Sequence, residues 1–592
     1  MNPNIKRIVV VMLENRGFDS ILGYLYTPQD PPLRNIPTPS SDKPPFNGIA
    51  YMKNPDTLIN NASWKGKDLK SGPFPGVRAT NSPGWDPGEE YEHVNRQLFN
   101  KENVSPNETP SMNGFLQDYS TICDSDDYNT IYQIMAMHLP YELPVISRLA
   151  KKYAVCDEWF SSVPTQTNAN RAFSLCGTSN GLVDNGYLSS NIVTQHLAAD
   201  KFEVNTIFNT LNNNGFKDWG VFWEDKYPPA ISDHPYTRFC FPMVEQIPDV
   251  DKHFHEMDKF YDLAESGELP AFSYIEPKWG GAIMDVISVM GNEYHPPSDV
   301  TPGEAFLKKI YSSLVKNQAA WQETMLLVFF DEHGGTYDHE PPPWGAVPPW
   351  GNTEPPASLP KGVQYGFKFD RFGVRIPAIV CSPYIEEGTV FRSETNTPFD
   401  HTSMIATVLK ILLPNVSRSN WGLGERVTNA PTFEFVNTRN EARMDDNVFK
   451  KTPSKANGDA VELGDPIYLK HRDGQYLSFA ESDISGYYPT LGSVPVTLRF
   501  QLSLNTLTRT IDDGQRVQIR TDEYLKPEFN DEPFFEAAIR NTLFASKKAH
   551  SWEPGSKCYY YSTNDRKNFP EQKWFLMRNV LKQGVLKYGD EV

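Results

Sequence analysis

The stretch that most restricts what this chain can fold into is Thr324–Pro343, TMLLVFFDEHGGTYDHEPPP. Its apolar run Met325–Phe330 carries no charge and is followed closely by Gly-Gly, as expected of a strand buried on both faces in a parallel sheet. Asp331, Glu332 and His333 follow at its carboxyl end, where open α/β sheets bind ligands. Adjacent carboxylates repel, and burying them requires a cation or several hydrogen-bond donors; on a solvated loop they would need neither. A second apolar run, Ile8–Leu13 (IVVVML), also ends in polar side chains, Glu14 and Asn15. If the two strands are neighbours, these four residues make one oxygen-rich pocket. Such a pocket suits a divalent cation with a substrate oxygen completing its shell.

At 592 residues the chain exceeds the size of a single core, so at least two domains are expected. The formal charge of −18, with no basic run to offset it, argues against a nucleic-acid partner and against strongly anionic membranes. The six cysteines are widely spaced and contain no C-x-x-C, so neither a disulfide framework nor a zinc-thiolate site is expected; Cys381 reads as a buried thiol. No apolar run reaches the roughly 18–20 residues of a membrane span. The first core strand follows MNPNIKR within a few residues, so the expectation is a chain that lacks, or has been stripped of, a Sec signal, with cytoplasm or signal-independent export both fitting.

Along the chain, Phe18–Leu22 reads as a short helix, and residues 27–120 as a loop-rich insertion at the pocket mouth. Leu139–Ala154 has the spacing of an amphipathic helix, with Leu143, Ile146, Leu149 and Ala150 on its apolar face. Strands are expected at Trp219–Trp223, Ala271–Pro277 and Val374–Cys381, and a helix at Ile405–Leu413. His234 is a loop histidine that could reach the pocket. The chain has no G-x-S-x-G elbow, so a hydroxyl nucleophile would be activated by a metal or a base outside a serine triad.

The segments VVVMLENRGFDSILGY (9–24), SVPTQTNANRAFSLCGTSNG (162–181), IEP (275–277), HPPSD (295–299), DEHGGTYDHEPPP (331–343) and FDHTS (399–403) resemble, in order, the bacterial phosphoesterase superfamily. That superfamily includes phosphatidylcholine-type phospholipases C and acid phosphatases. The resemblance implies an α/β, alkaline-phosphatase-like core with a mostly parallel sheet between helices, and one or more divalent metal ions (Zn, Ca, Mg or Mn) on Glu14, Asn15, Asp331 and Glu332. Aligning Thr165–Arg171 on the family's G-P-T-x-P-N-R places the nucleophile at Thr167, with Thr165 two residues before it. Asn170, Arg171, Glu89 and His333 are then expected to bind substrate or phosphate, and His295 to contact the phosphate or protonate the leaving group. After Asp86-Pro87-Gly88 the family carries a histidine. Here Glu89 stands in that position and His93 follows four residues on, where a helix would put both on one face. For Asp400 and His401 a general-acid role and a helix N-cap are both open.

On this reading residues 1–415 form the catalytic domain, 416–459 a linker, and 460–592 a β-rich, trefoil-like accessory domain whose last repeat stops mid-strand. The expected activity is metal-dependent hydrolysis of phosphatidylcholine-type phosphodiesters through a phosphothreonine intermediate. Choline would need aromatic faces, for which Trp85, Tyr91, Trp344 and Trp350 are available. The alternatives are an acid phosphatase acting on phosphomonoesters and a glycan- or lipid-binding protein with an inactive core. Expected contacts are a phospholipid or other phosphoester, a membrane surface transiently, and glycan or lipid at the tail.

Overall fold

The computed structural model describes residues 4–444 except 78–81, 141, 186–200, 228–231, 284–286, 290 and 360–361. Beyond 444 it describes only 448–449, 469 and short strands between 476 and 575. The core is a nine-stranded sheet. Its strands are β1 (Arg7–Leu13), β2 (Arg34–Ile36), β3 (Ala154–Cys156), β4 (Trp219–Trp223), β5 (Phe254–Glu256), β6 (Phe272–Glu276), β7 (Thr324–Phe330), β8 (Ala378–Cys381) and β9 (Thr389–Phe391). They lie in the order β2-β9-β3-β8-β7-β1-β6-β4-β5. Every neighbouring pair is parallel except those of β8, which runs antiparallel to both β7 and β3.

The apolar runs behave as their composition requires. All seven residues of β7 are buried, as are the last six of β1, because helices cover both faces of the sheet. The helices that matter for the site are α1 (Phe18–Leu22), α2 (Tyr91–Phe99), α3 (Phe115–Ile122), α4 (Pro144–Lys152), α5 (Thr167–Cys176), α6 (Thr301–Lys316) and α7 (His401–Leu412). The expected helix 139–154 is trimmed to α4, which starts with Pro144 in its first turn, where a missing N–H costs nothing. Leu143, at its N-cap, and Ile146, Leu149 and Ala150 within it are buried, as their spacing predicts. The strand expected from Val374 joins the sheet only from Ala378, since Pro377 has no N–H to give the ladder; before it, Arg375 makes an isolated bridge with Phe160.

Two expectations need correction. Glu89 and His93 do not share a helix face: α2 begins at Tyr91 with Glu90 as its N-cap, so Glu89 lies in the preceding loop. The stretch from 416, expected as a linker, lays Trp421, Leu423, Val427, Phe433 and Val436 into the same core as the sheet, so that core extends past residue 415.

The insertion 27–120 carries a hairpin, Asn60–Trp64 with Lys67–Ser71, besides α2 and α3. Beyond it, the strands Tyr476–Glu481, Tyr487–Gly492, Leu498–Leu502, Arg516–Thr521, Thr542–Ala545, Cys558–Tyr561 and Trp574–Phe575 pair antiparallel. The rest of the expected trefoil-like tail lies outside the described residues. Cys123, Cys156, Cys176, Cys240 and Cys381 are buried free thiols. Among the described residues, no helix is long and apolar enough to cross a membrane.

Candidate active site

The register of the sheet builds the site. Leu13 of β1 pairs with Phe330 of β7, so the next residues, Glu14 and Asp331, leave the sheet side by side. The Asp331 N–H donates to Leu13 O over 3.1 Å, and the Asn15 N–H donates to Asp331 Oδ1 over 3.0 Å. Asn15 sits in the left-handed region at φ 55°, a conformation asparagine tolerates better than most residues. Gly334 and Gly335 follow at φ 56° and 62°, and a Cβ on Gly334 would run into the Asn15 backbone. That close approach explains the Gly-Gly after His333.

Glu14, Asn15, Asp331 and Glu332 are all buried. Arg171, also buried, donates from Nε to Glu14 Oε1 at 3.0 Å and to Asp331 Oδ2 at 3.3 Å, and from Nη2 to the carbonyls of Met12 and Leu13. Its guanidinium lies over the Trp279 ring at 4.6 Å. Around it the acids outnumber the cations. Burial raises the Glu14 pKa, but Arg171 and His295 outweigh it and hold the carboxyl low. Burial and then the Glu14 charge push Asp331 well up. Burial pushes Glu332 and Glu89 up too, each with help from neighbouring acids, and raises Glu293 to about 7.

Such a surplus of buried carboxylates is costly without a cation. Glu332 Oε1 has no hydrogen-bond partner, although Oε2 accepts from the Gly334 N–H over 2.6 Å. Ligand atoms of Asp86, Glu89 and His295 lie within 4.8 Å of one another. An orphaned carboxylate oxygen beside further oxygen donors and one imidazole is a donor set that fits a divalent ion.

The structure brings Thr167 and His295 to this cluster. Thr167 is the first residue of α5, its N-cap being Gln166, and its Oγ1 donates to Asn15 Oδ1 over 3.4 Å. Thr165, the other hydroxyl of the segment, donates instead to Val183 O. His295 places Nδ1 3.4 Å from Glu14 Oε2, and Nε2 3.1 Å from Asp86 Oδ1 and 3.2 Å from the Asn15 amide nitrogen. Burial alone would lower its pKa; Asp86, Glu14 and Glu89 reverse that and hold it well above the usual imidazole value. Glu89 joins the cluster through a hydrogen bond from Asn15 Nδ2, and so occupies the site itself.

Other expected site residues do different work. His93 turns its Nδ1 to Asp118 at 2.9 Å, where Arg96 and Gln97 also converge. Asn170 spends its amide nitrogen on the carbonyls of Val163, Thr165 and Gln166, bracing the loop before Thr167 rather than reaching phosphate. His333 bonds Gln97 Oε1 through Nε2 at 2.8 Å and packs edge-on against Phe115; burial drops its pKa to about 3. His401 is also kept neutral by burial, at about 4, and its Nε2 donates to the Asp331 carbonyl over 2.5 Å. Of the two roles open for Asp400, the cap is the one observed: it accepts from the Thr402 N–H and pairs with Arg426. His234 is exposed in its loop.

Asp86 and Glu293 join the cluster without having been singled out from sequence. Asp86 stands three residues before Glu89 and Glu293 two before His295; neither spacing marks a ligand.

The Phosphoesterase family model matches residues 5–412. Non-specific phospholipase C3 of Arabidopsis thaliana is 32% identical over 414 residues, covering 69% of this chain and 69% of its own. Phospholipase C A of Mycobacterium tuberculosis is 23% identical, covering 74% of this chain and 79% of its own. A solved protein of the alkaline phosphatase superfamily from Vibrio parahaemolyticus is 12% identical, covers 62% of this chain and 76% of that chain, and superposes with a TM-score of 0.26; that likeness adds nothing to the sheet described above. On the span of the family model and the identity to the plant relative, this chain belongs to the Phosphoesterase family.

Proposed function

We propose that this chain is a phospholipase C that cleaves phosphatidylcholine-type phosphodiesters to diacylglycerol and phosphocholine. The observation that carries the reading is the Thr167 hydroxyl, held 3.4 Å from Asn15 Oδ1 at the edge of the Glu14–Asp331 pair, in a chain whose relatives are named phospholipases C. A divalent ion held by Glu14, Asn15, Asp331 and Glu332, with Glu89 beside them, would supply the positive charge that lowers the pKa of the threonine hydroxyl and offsets phosphoryl charge.

Thr167 Oγ, its proton passing to water, attacks phosphorus, and the bond from phosphorus to the glycerol oxygen breaks. The departing alkoxide takes a proton from His295, which its acidic neighbours keep protonated. Thr167 is left as a phosphodiester carrying the headgroup. Water then attacks the same phosphorus and gives a proton back to His295, the bond from phosphorus to Thr167 Oγ breaks as Oγ takes a proton from solvent, and phosphocholine leaves. Arg171 braces Glu14 and Asp331 against each other throughout. The oxygen-rich donor set suits magnesium, manganese or calcium; zinc would call for an imidazole ligand, and His295 cannot both ligate it and protonate the leaving group.

The formal charge of −18 favours transient contact with a zwitterionic rather than an anionic lipid surface. We assign the tail 460–592 to glycan or lipid contact as a β-rich accessory module.

The test is release of phosphocholine from phosphatidylcholine, run beside a simple aryl phosphate, with and without prior chelation. Phosphocholine released and lost on chelation supports the reading. Turnover of the aryl phosphate alone would replace it with a phosphatase, and inactivity on both would shift the weight to binding through the tail.

A further inference from the structure

Next to Thr167 on α5 stands Asn168, at the position the family motif leaves unspecified, and its side chain is 1% exposed. Three of its four polar groups are accounted for. Its backbone N–H donates to Asn185 Oδ1 over 2.9 Å, and its Oδ1 accepts from the Tyr236 hydroxyl over 2.9 Å. As the second residue of the helix, its carbonyl belongs to the first turn. The Nδ2 donor, buried with the rest, has no partner. A buried donor left unmet is destabilising, so a fixed one beside a nucleophile calls for an acceptor that arrives with the ligand.

Arg171 makes the same case from one turn further along. Residues i and i+3 share a helix face, and Arg171 Nη1 is likewise buried without a partner, although Nε and Nη2 are fully used. Tyr236 ties the two residues together: its hydroxyl fixes the Asn168 amide, while its ring lies 5.5 Å from the Arg171 guanidinium and 4.9 Å from Trp279. With the Tyr236 hydroxyl donating to Oδ1, Nδ2 is the end of the amide left free. Glu276 Oε2 is a partnerless acceptor in the same region, yet neither donor bonds to it.

We propose that Asn168 is a catalytic residue of this chain, its Nδ2 donating to a non-bridging phosphoryl oxygen together with Arg171 Nη1, and that Tyr236 is the positioning residue that aims it. This rests on Thr167 being the nucleophile. Removing one such donor to a developing oxyanion typically lowers kcat about 10²–10³-fold.

The experiment uses Asn168→Asp, which keeps the shape and the acceptor for Tyr236 but removes the donor, with Asn168→Ala, Tyr236→Phe and Thr167→Ala beside it. The substrate is whichever of short-chain phosphatidylcholine or aryl phosphate the wild type turns over. Inorganic vanadate serves as the phosphoryl mimic, and Tm reports folding. Both Asn168 variants should lose about 100-fold or more in kcat with KM changed only a few-fold, and should bind vanadate more weakly by a comparable factor. Tyr236→Phe should lose about tenfold. Retained activity in Thr167→Ala would overturn the nucleophile. An inactive Thr167→Ala beside Asn168 variants within threefold of wild type, or with vanadate affinity unchanged, would overturn the role of Asn168 alone.

Discussion

The Asn15 N–H donates to Asp331 Oδ1 over 3.0 Å, joining the ends of two parallel strands that are far apart in sequence. The same Oδ1 accepts from the Glu332 N–H over 2.7 Å, and Oδ2 meets Arg171. Asp331 thus fixes the turn that presents Asn15 to Thr167. Asp331→Asn exchanges an acceptor oxygen for a donor facing other donors, so its geometry and charge are lost together. Turnover is expected to fall at least about 10³-fold, with the far-UV circular dichroism unchanged, since the seven buried residues of β7 keep the strand in place.

Metal removal has a sign that follows from the buried acids. Glu332, Glu89 and Asp331 are all pushed toward the neutral form by burial and by neighbouring acids, and Glu332 Oε1 has no partner. A cation there relieves repulsion in the folded state alone. Excess Mg²⁺, Mn²⁺ or Ca²⁺ over the chelated protein should therefore raise Tm, by about 2.7 kcal/mol of stability at 100 times Kd. A Tm that ignores both chelator and metal would remove the ion from the account.

The histidines separate by what they face. His295→Ala should cut kcat on an alkoxide leaving group about 10²–10⁴-fold and spare a substrate with a good aryl leaving group, because protonation matters less there. His93→Ala should leave kcat within a few-fold and lower Tm, since His93 binds Asp118 away from the cluster. Steady-state kinetics of the two variants on both substrates check this.

Much of this was legible in the chain, for physical reasons. The runs Ile8–Leu13 and Met325–Phe330 read as buried strands from composition, and their pairing in the sheet is what brings the polar residues after each to one edge. Thr167 followed from a motif. What stayed hidden depends on rotamers and on distant partners. Nothing in the sequence tells that Asn170 turns back onto its own loop, that His401 lies behind Asp331, or that Asp118 captures His93. The motif leaves open whether Glu89 or His93 takes the place of the histidine; Glu89 is the one that reaches Asn15, because the helix starts two residues after it. The span after 415 looked like a linker because its apolar residues are sparse, although Trp421, Phe433 and Val436 each fill the core.

A second buried cluster sets a pH dependence of stability. His339 gives Nδ1 to Asp19 Oδ2 at 2.6 Å and turns Nε2 to Asn47 Oδ1 at 3.1 Å, while Arg375 binds Asp19 and Asp338. Burial lowers the His339 pKa, but Asp19 more than restores it and leaves it raised. A raised histidine contributes its full stability below its unfolded pKa of about 6.5 and loses it as pH rises through the folded value. Asp338, pushed up to about 7 by burial, acts in the same direction, its protonated form being favoured by the fold from about 4 upward to that value. His339→Gln should therefore cost most Tm near pH 5.5–6.5, with the gap to wild type closing as pH is raised. Thermal melts of both proteins across pH 5–9 read this directly; a gap that widens with pH would contradict it.

The central claim is attack by Thr167, and an acid quench of the enzyme during turnover of short-chain phosphatidylcholine tests it most directly, followed by mass spectrometry of the peptide spanning residues 162–181. The account predicts a peptide heavier by phosphocholine less water, with the modification at Thr167 and absent from Thr167→Ala. An unmodified peptide in an enzyme that releases phosphocholine at full rate, or a modification that survives in Thr167→Ala, would contradict it.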